Sequence, residues 1–302
     1  MPDSLQRRAT IDADAPPERS LPLHLALAFY ALLADTIREA FARRIVWGIY
    51  GSTAFVLAFL AFVLEIDIVS GAKATISLFG QEAMSTGSAD RLQAFVGYIQ
   101  GAIAAFLYGV STFVGVFVCA GLSASLFEPG RAELLLARPV PRGLILAARY
   151  LGSVLLIAAN VVLLIGGSWL ILGAKSGFWN PQFLWAIPVT GFVFSVLMAL
   201  VMLVTVLTGN SAVAMIVTFV AMVFSPILAQ QDLAIRLLPS TFARNLWKAA
   251  YLAVPKVYEL GALLLTLVSG EPTDATPLLQ SSALFAAACL LAAWLLFARQ
   301  DR

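Results

Sequence analysis

SGFWNPQFLWAIPVTGFVFSVLMALVMLVTVLTGNSAVAMIVTFVAMVFSPILAQQ, residues 176–231, carries no Asp, Glu, Lys, Arg or His along its whole length. An α-helix crosses the hydrocarbon core of a bilayer with about 20 apolar residues, so the stretch is long enough for two crossings. Thr208-Gly209-Asn210-Ser211 supplies the break between them, because Gly and Asn take turn conformations that interrupt a helix. The stretch reads as one span over about 183–207 and a second ending near Pro226. That reading decides the fold class: helical, and threaded repeatedly through a membrane.

The rest of the chain agrees. Of its 302 residues 61% are hydrophobic and 12% charged, against roughly 25% charged in an ordinary soluble domain. The charge-free intervals Ile45–Leu64, Leu92–Phe127, Leu151–Ala174 and Ala275–Ala298 place further spans at about 45–65, 96–121, 144–172 and 278–298. The expected architecture is an all-α integral membrane protein with six transmembrane helices, forming one domain over 23–302. Residues 1–22, polar and bearing Pro16-Pro17, read as a disordered cytoplasmic tail without a signal peptide. After it, Leu25, Phe29, Leu32, Leu33, Ile37 and Phe41 recur at helical spacing, with Asp35, Arg38, Glu39, Arg43 and Arg44 mostly off that stripe. This pattern predicts an amphipathic helix lying along the membrane face; the plainer alternative is an extension of the first span. Between the first two spans, GQEAMSTGSADR belongs to a polar loop running to about 94.

Lysine and arginine set the orientation, because cytoplasmic loops are enriched in both. With six spans and a cytoplasmic N-terminus, the inner segments hold Arg7, Arg8, Arg19, Arg38, Arg43, Arg44, Arg131, Arg138, Arg142, Arg149, Arg299 and Arg302. The short outer loops hold Lys73, Arg91 and Lys175, and the long segment 229–278 holds Arg236, Arg244, Lys248 and Lys256. Both termini are therefore expected in the cytoplasm, and the arrangement suits a bacterial inner membrane. A net charge of +2, with arginines beside spans and not in a stripe, gives no reason to expect nucleic-acid binding. Cys119 and Cys289 fall mid-span and read as small apolar residues.

Several chemistries have no visible machinery. The proposed span cores hold no ionisable coupling residue of the kind that ion-driven transporters use. His24, the sole histidine, reads as a surface residue. No H-E-x-x-H or nucleophile–base pattern is present, and Gly173-Ala174-Lys175-Ser176 lacks the glycines of a phosphate-binding loop. The expectation is no catalytic residue, no metal site and no cofactor on this chain, so that energy has to come from another polypeptide.

The place for it to enter is EPGRAELLLARPVPRGLIL, residues 128–146. Glu128 ahead of Pro129 suits a helix start, Arg138-Pro139 stops the helix, and Pro141-Arg142-Gly143 turns into the next span. Leu134, Leu135 and Leu136 provide apolar area, while Glu128, Arg131, Glu133, Arg138 and Arg142 provide charge. Composition alone allows an ordinary basic inner loop equally well. The segment nevertheless resembles the cytoplasmic signature of type-2 ABC exporter permeases: an acidic turn, then Leu-Leu-x-x-Pro, a basic residue and the third span. Arg131 stands where that family usually has Thr. PKVYELGALL, Pro255–Leu264, is similar to a Pro-x-x-x-Tyr-x-Leu stretch of the permeases linked to nitrous-oxide reductase maturation.

The resemblance implies a membrane subunit paired with a second permease copy and bound to two cytoplasmic ABC ATPase subunits, which carry the ATP and Mg. The coupling segment is then 122–143, with Glu128, Gly130, Arg131, Glu133, Leu135, Arg138, Pro139 and Arg142 as its ATPase contacts. In the outer segment 229–278, Trp247, Tyr251, Pro255, Tyr258 and Glu259 are expected to form a gate or an interfacial anchor. Gly101, Ala104, Ala105, Gly109 and Gly115 are expected along the dimer path or, more simply, at close helix contacts. Two other classes stay open: a secondary transporter or channel, and a membrane scaffold that binds a soluble partner and moves nothing.

Overall fold

The computed structural model describes residues 21–42, 44–62, 64–69, 73–78, 81–86, 89–125, 141–230 and 240–299. In chain order these form α1 (Leu21–Ala42), α2 (Arg44–Phe62), β1 (Leu64–Val69), β2 (Lys73–Leu78), β3 (Gln81–Thr86), α3 (Ala89–Ala124) and α4 (Arg142–Ser176). A 3-10 turn, Pro181–Trp185, then leads into α5 (Ala186–Thr208), followed by α6 (Ser211–Ala229), α7 (Thr241–Ala253), α8 (Val257–Val268) and α9 (Thr276–Arg299).

Among the described residues, five helices are long and apolar enough to cross a membrane: Gly97–Ala124, Arg142–Ser176, Pro181–Thr208, Ser211–Ala229 and Thr276–Arg299. Two bent pairs raise the number to as many as seven, Leu25–Ala42 with Val46–Phe62 at 68° and Thr241–Leu252 with Val257–Val268 at 64°. The first of these separates the amphipathic α1 from α2 as two arms of different direction. The break that split the opening stretch falls where Gly209 and Asn210 put it. Gly209 closes α5 at φ 65, a left-handed conformation that favours glycine, and Asn210 caps α6 by accepting from the Ala212 amide at 2.8 Å. Pro226 does not end α6, which continues to Ala229; a proline so near the C-terminus removes little of the remaining ladder.

The interval 66–86, expected within an irregular polar loop, contains a three-stranded antiparallel sheet in the order β1-β2-β3. Leu64 pairs with Leu78 and Val69 with Lys73, and β2 continues onto β3 with an irregularity between Ile76 and Ser77. The signal was a two-residue alternation in LEIDIV, where Glu65 and Asp67 interleave with Leu64, Ile66 and Ile68.

The Pro181–Thr208 helix forms the centre of the bundle. Its most apolar window is 72% buried, against 22% for α6 and α9, and it packs on α3, α4, α6 and α9. Phe194, Leu197, Met198 and Met202 are fully buried there. Since lipid is as apolar as leucine, such helices hold together by close packing. Gly115 shows the consequence: a Cβ at that position would lie 2.9 Å from the Phe194 ring. Gly109, by contrast, has nothing within 4 Å of such a Cβ, so of these two only Gly115 is a tight packing position.

Candidate functional site

Two polar clusters involve the elements that the expected site residues occupy. The first is where α1 crosses the start of α4. Thr36 sits against Gly152, whose added Cβ would meet the Thr36 methyl at 2.7 Å. Leu32 packs with Ile145 and Ala148, and Phe29 and Leu144 close the cluster. Beside this contact Arg149 donates through Nη1 to the Glu39 carboxylate, and the side chains are only 4% and 6% exposed. Desolvating two charges costs several kcal/mol each unless they pair closely. Glu39 thus belongs to the inward face of α1, not to its polar one, while Asp35 and Arg38 stay exposed.

This junction lies at the end of the bundle where α3 ends and α4 begins, next to the segment expected to couple. The α3 helix ends at Ala124 and α4 begins at Arg142, capped by Pro141, whose carbonyl accepts from the Leu144 amide at 2.9 Å. Gly143 faces Trp294, near the C-terminal end of α9. Of the expected ATPase contacts, Arg142 is therefore placed, half-buried, at the mouth of α4. Glu128, Gly130, Arg131, Glu133, Leu135, Arg138 and Pro139 lie outside the described residues, as does the tail 1–20.

The second place is the bent pair α7–α8, which brings together most of the expected outer residues. Ser240 caps α7, accepting from the Ala243 amide at 3.1 Å. Ala243, Trp247, Ala250 and Tyr251 form a half-buried face, while Phe242 and Leu246 are exposed on its apolar flank and Arg244 and Lys248 on the polar side. That three-way division suits a helix touching bundle, lipid and water at once. The Tyr251 hydroxyl lies 2.8 Å from both Glu259 oxygens and donates to that carboxylate. Lys256, at the bend beside buried Pro255, places its ammonium 4.4 Å from the Tyr251 ring centroid and donates to Ser281 Oγ on α9 at 2.9 Å. The Tyr258 ring is exposed, whereas its backbone amide donates to Ser225 Oγ on α6 at 3.1 Å. The Tyr108 hydroxyl, buried on α3, donates to the Val257 carbonyl at 2.6 Å.

The N-terminal turn of α8 is thereby tied to α3, α6, α7 and α9 at once. Trp247 differs from a belt residue that reaches water, because its Nε1 is enclosed and finds no hydrogen-bond partner among the described residues. Lys256, Tyr108, Ser225 and Ser281 were not singled out from the sequence. A lysine next to a proline bend was the one available signal; serine and tyrosine inside apolar runs give none. Among the described residues no three His, Cys, Asp or Glu side chains come together as metal ligands.

Residues 58–302 match the family described as "Protein of unknown function (DUF2705)", and the chain belongs to that family. Comparison with curated proteins finds no match.

Proposed function

We propose that this family member is the membrane subunit of an ATP-driven ABC transporter of the type-2 exporter class, forming the translocation path and drawing energy from separate cytoplasmic ATPase subunits. The observation that carries the reading is the locked α1–α4 junction beside the coupling segment. The buried Glu39–Arg149 pair and the Thr36–Gly152 contact tie α1 rigidly to the helix that the segment feeds. A push on residues 128–142 then moves α4 and α1 together instead of being lost in a loose joint. Interiors packed at this density transmit displacement.

In this reading the six spans are α2, α3, α4, Pro181–Thr208, α6 and α9. The coupling segment and both termini face the cytoplasm of a bacterial inner membrane; the sheet lies outside, and the α7–α8 pair dips into the bundle from that side. Arg142, Arg149 and Arg299 fall at the coupling end, in keeping with the positive-inside rule. The ATP and Mg belong to the partner, and a second copy of the chain completes the path. The α7–α8 pair, tied to α3, α6 and α9, acts as the outer gate, since shifting it means breaking the Tyr108–Val257, Ser225–Tyr258 and Lys256–Ser281 bonds together.

The test is co-purification with ABC ATPase subunits co-expressed from the same organism. The wild type is expected to form a stable complex, and Glu133→Ala with Arg138→Ala to lose it. A complex unaffected by both substitutions would show that the contact lies elsewhere.

A further inference from the structure

The end of the bundle remote from the coupling segment holds a cavity of about 640 Å³, lined by Gly97, Tyr98 and Gln100 of α3, by Phe178–Gln182, and by Val268 and Ser269. Its volume lies within the roughly 300–1,000 Å³ of small-molecule sites. None of these lining residues is charged. Bringing an ionic ligand here would strip its water with no counter-charge among the described lining residues to replace it.

The walls are fixed before any ligand arrives. Gly177 ends α4 at φ 68 and turns the chain back, with its amide donating to the Gly173 carbonyl at 2.9 Å. Trp179 then folds against Gly173, where a Cβ would lie 2.6 Å from the indole. Trp169 meets the same indole edge-on, with centroids 5.0 Å apart at 70°, and donates through Nε1 to the Asn180 carbonyl at 2.9 Å. With those contacts holding it, the Trp179 side chain still leaves half its surface open.

The amides are oriented as well. Asn180 Oδ1 accepts from the Gln182 amide at 3.0 Å, so its Nδ2 points the other way, donating to Gln100 Oε1 at 3.0 Å and to the Val268 carbonyl at 3.4 Å. Gln100 is 3% exposed, and its oxygen is engaged. Its Nε2, with two N–H donors, has no hydrogen-bond partner among the described residues. An amide held by its oxygen in the cavity wall can offer its N–H donors to an acceptor there.

We propose that this cavity is a binding site for a neutral sugar. A pyranose offers hydroxyls that accept from Gln100 Nε2 and exchange hydrogen bonds with the exposed Gln182 side chain. It also offers an apolar C–H face to stack on Trp179, with Tyr98 and Phe178 alongside. A purely apolar ligand would leave the Gln100 donors unmet, and an anion or cation would meet no opposite charge among the described lining residues. The assignment is independent of the ATPase reading, because the binding test uses this chain alone.

The experiment is saturation-transfer difference NMR on the full chain in nanodiscs free of sugar detergents, with maltose as the probe and glucuronate as the charged control. Maltose is expected to give a saturable signal and glucuronate a signal at least tenfold weaker. Gln100→Leu is expected to weaken maltose binding at least tenfold, and Trp179→Ala to abolish it. Trp179→Phe, which retains a stacking face, keeps binding within threefold and guards against a loss caused by misfolding. The proposal is overturned if maltose gives no saturable signal, if glucuronate binds equally well, or if maltose binding survives both Gln100→Leu and Trp179→Ala. A signal from maltose on empty nanodiscs as strong as on the protein overturns it too.

Discussion

Arg149 on α4 donates to the carboxylate of Glu39 on α1, and both side chains are almost wholly buried. Removing either residue breaks a buried ion pair, a loss of about 3–5 kcal/mol. Glu39→Ala and Arg149→Ala are each expected to lower the thermal midpoint sharply in detergent. Replacing both by Met is expected to recover much of the loss, as seen by fluorescence-detected size exclusion across a temperature series. Single and double variants melting alike would show that the pair does not hold the junction.

The same junction depends on a missing side chain. Gly152→Ala forces a methyl to within 2.7 Å of Thr36, and overpacking of this kind costs about 1–3 kcal/mol. Gly109→Ala, with nothing within 4 Å of the new methyl, is expected to be neutral or to stabilise by up to about 1 kcal/mol through helix propensity. The two melting temperatures, measured side by side, check the contrast.

At the bend, Tyr108→Phe removes the bond to the Val257 carbonyl, worth about 0.5–1.5 kcal/mol. Tyr251→Phe likewise removes the only hydroxyl shown donating to Glu259 among the described contacts. Hydrogen exchange is expected to quicken over 257–268 in both variants and to stay unchanged over 186–208.

A pH effect is expected at the start of α9. Hydrogen bonding from the Thr276 hydroxyl first, and then from the Thr276 amide that Asp274 accepts at 3.0 Å, holds the Asp274 carboxyl below the ordinary value of 3.8. A group whose folded value is depressed contributes stability above its unfolded value and loses it as pH falls through the folded one. Amides of the first turn of α9 are therefore expected to lose protection as pH drops below about 4. Asp274→Asn, which keeps an acceptor and cannot titrate, is expected to flatten that dependence.

Long charge-free runs made the helical body readable, and Gly209-Asn210 gave the break between α5 and α6 to the residue, because burial in lipid and turn chemistry are local properties of sequence. The sheet at 64–86 was missed although its alternation was present, since a short two-residue period is easily read as polar loop when Gly and Ser flank it. Tyr251, Pro255 and Glu259, expected together from one aromatic and proline-bearing stretch, do lie at one bend, where Tyr251 donates to Glu259. Glu39 was assigned to the wrong face of α1: its pairing with Arg149, distant in the chain, is a tertiary fact that helical spacing does not carry. Gln100 and Asn180 were invisible for the same reason.

The central claim is that this chain takes its energy from a separate ATPase through residues 128–142. Its most direct test is the ATP hydrolysis rate of a co-expressed ABC ATPase from the same organism, reconstituted in lipid with and without this chain. The account predicts that hydrolysis changes when the chain is present and returns to the isolated rate with Glu133→Ala and Arg138→Ala. An identical rate with the chain, without it and with the variant would contradict the account.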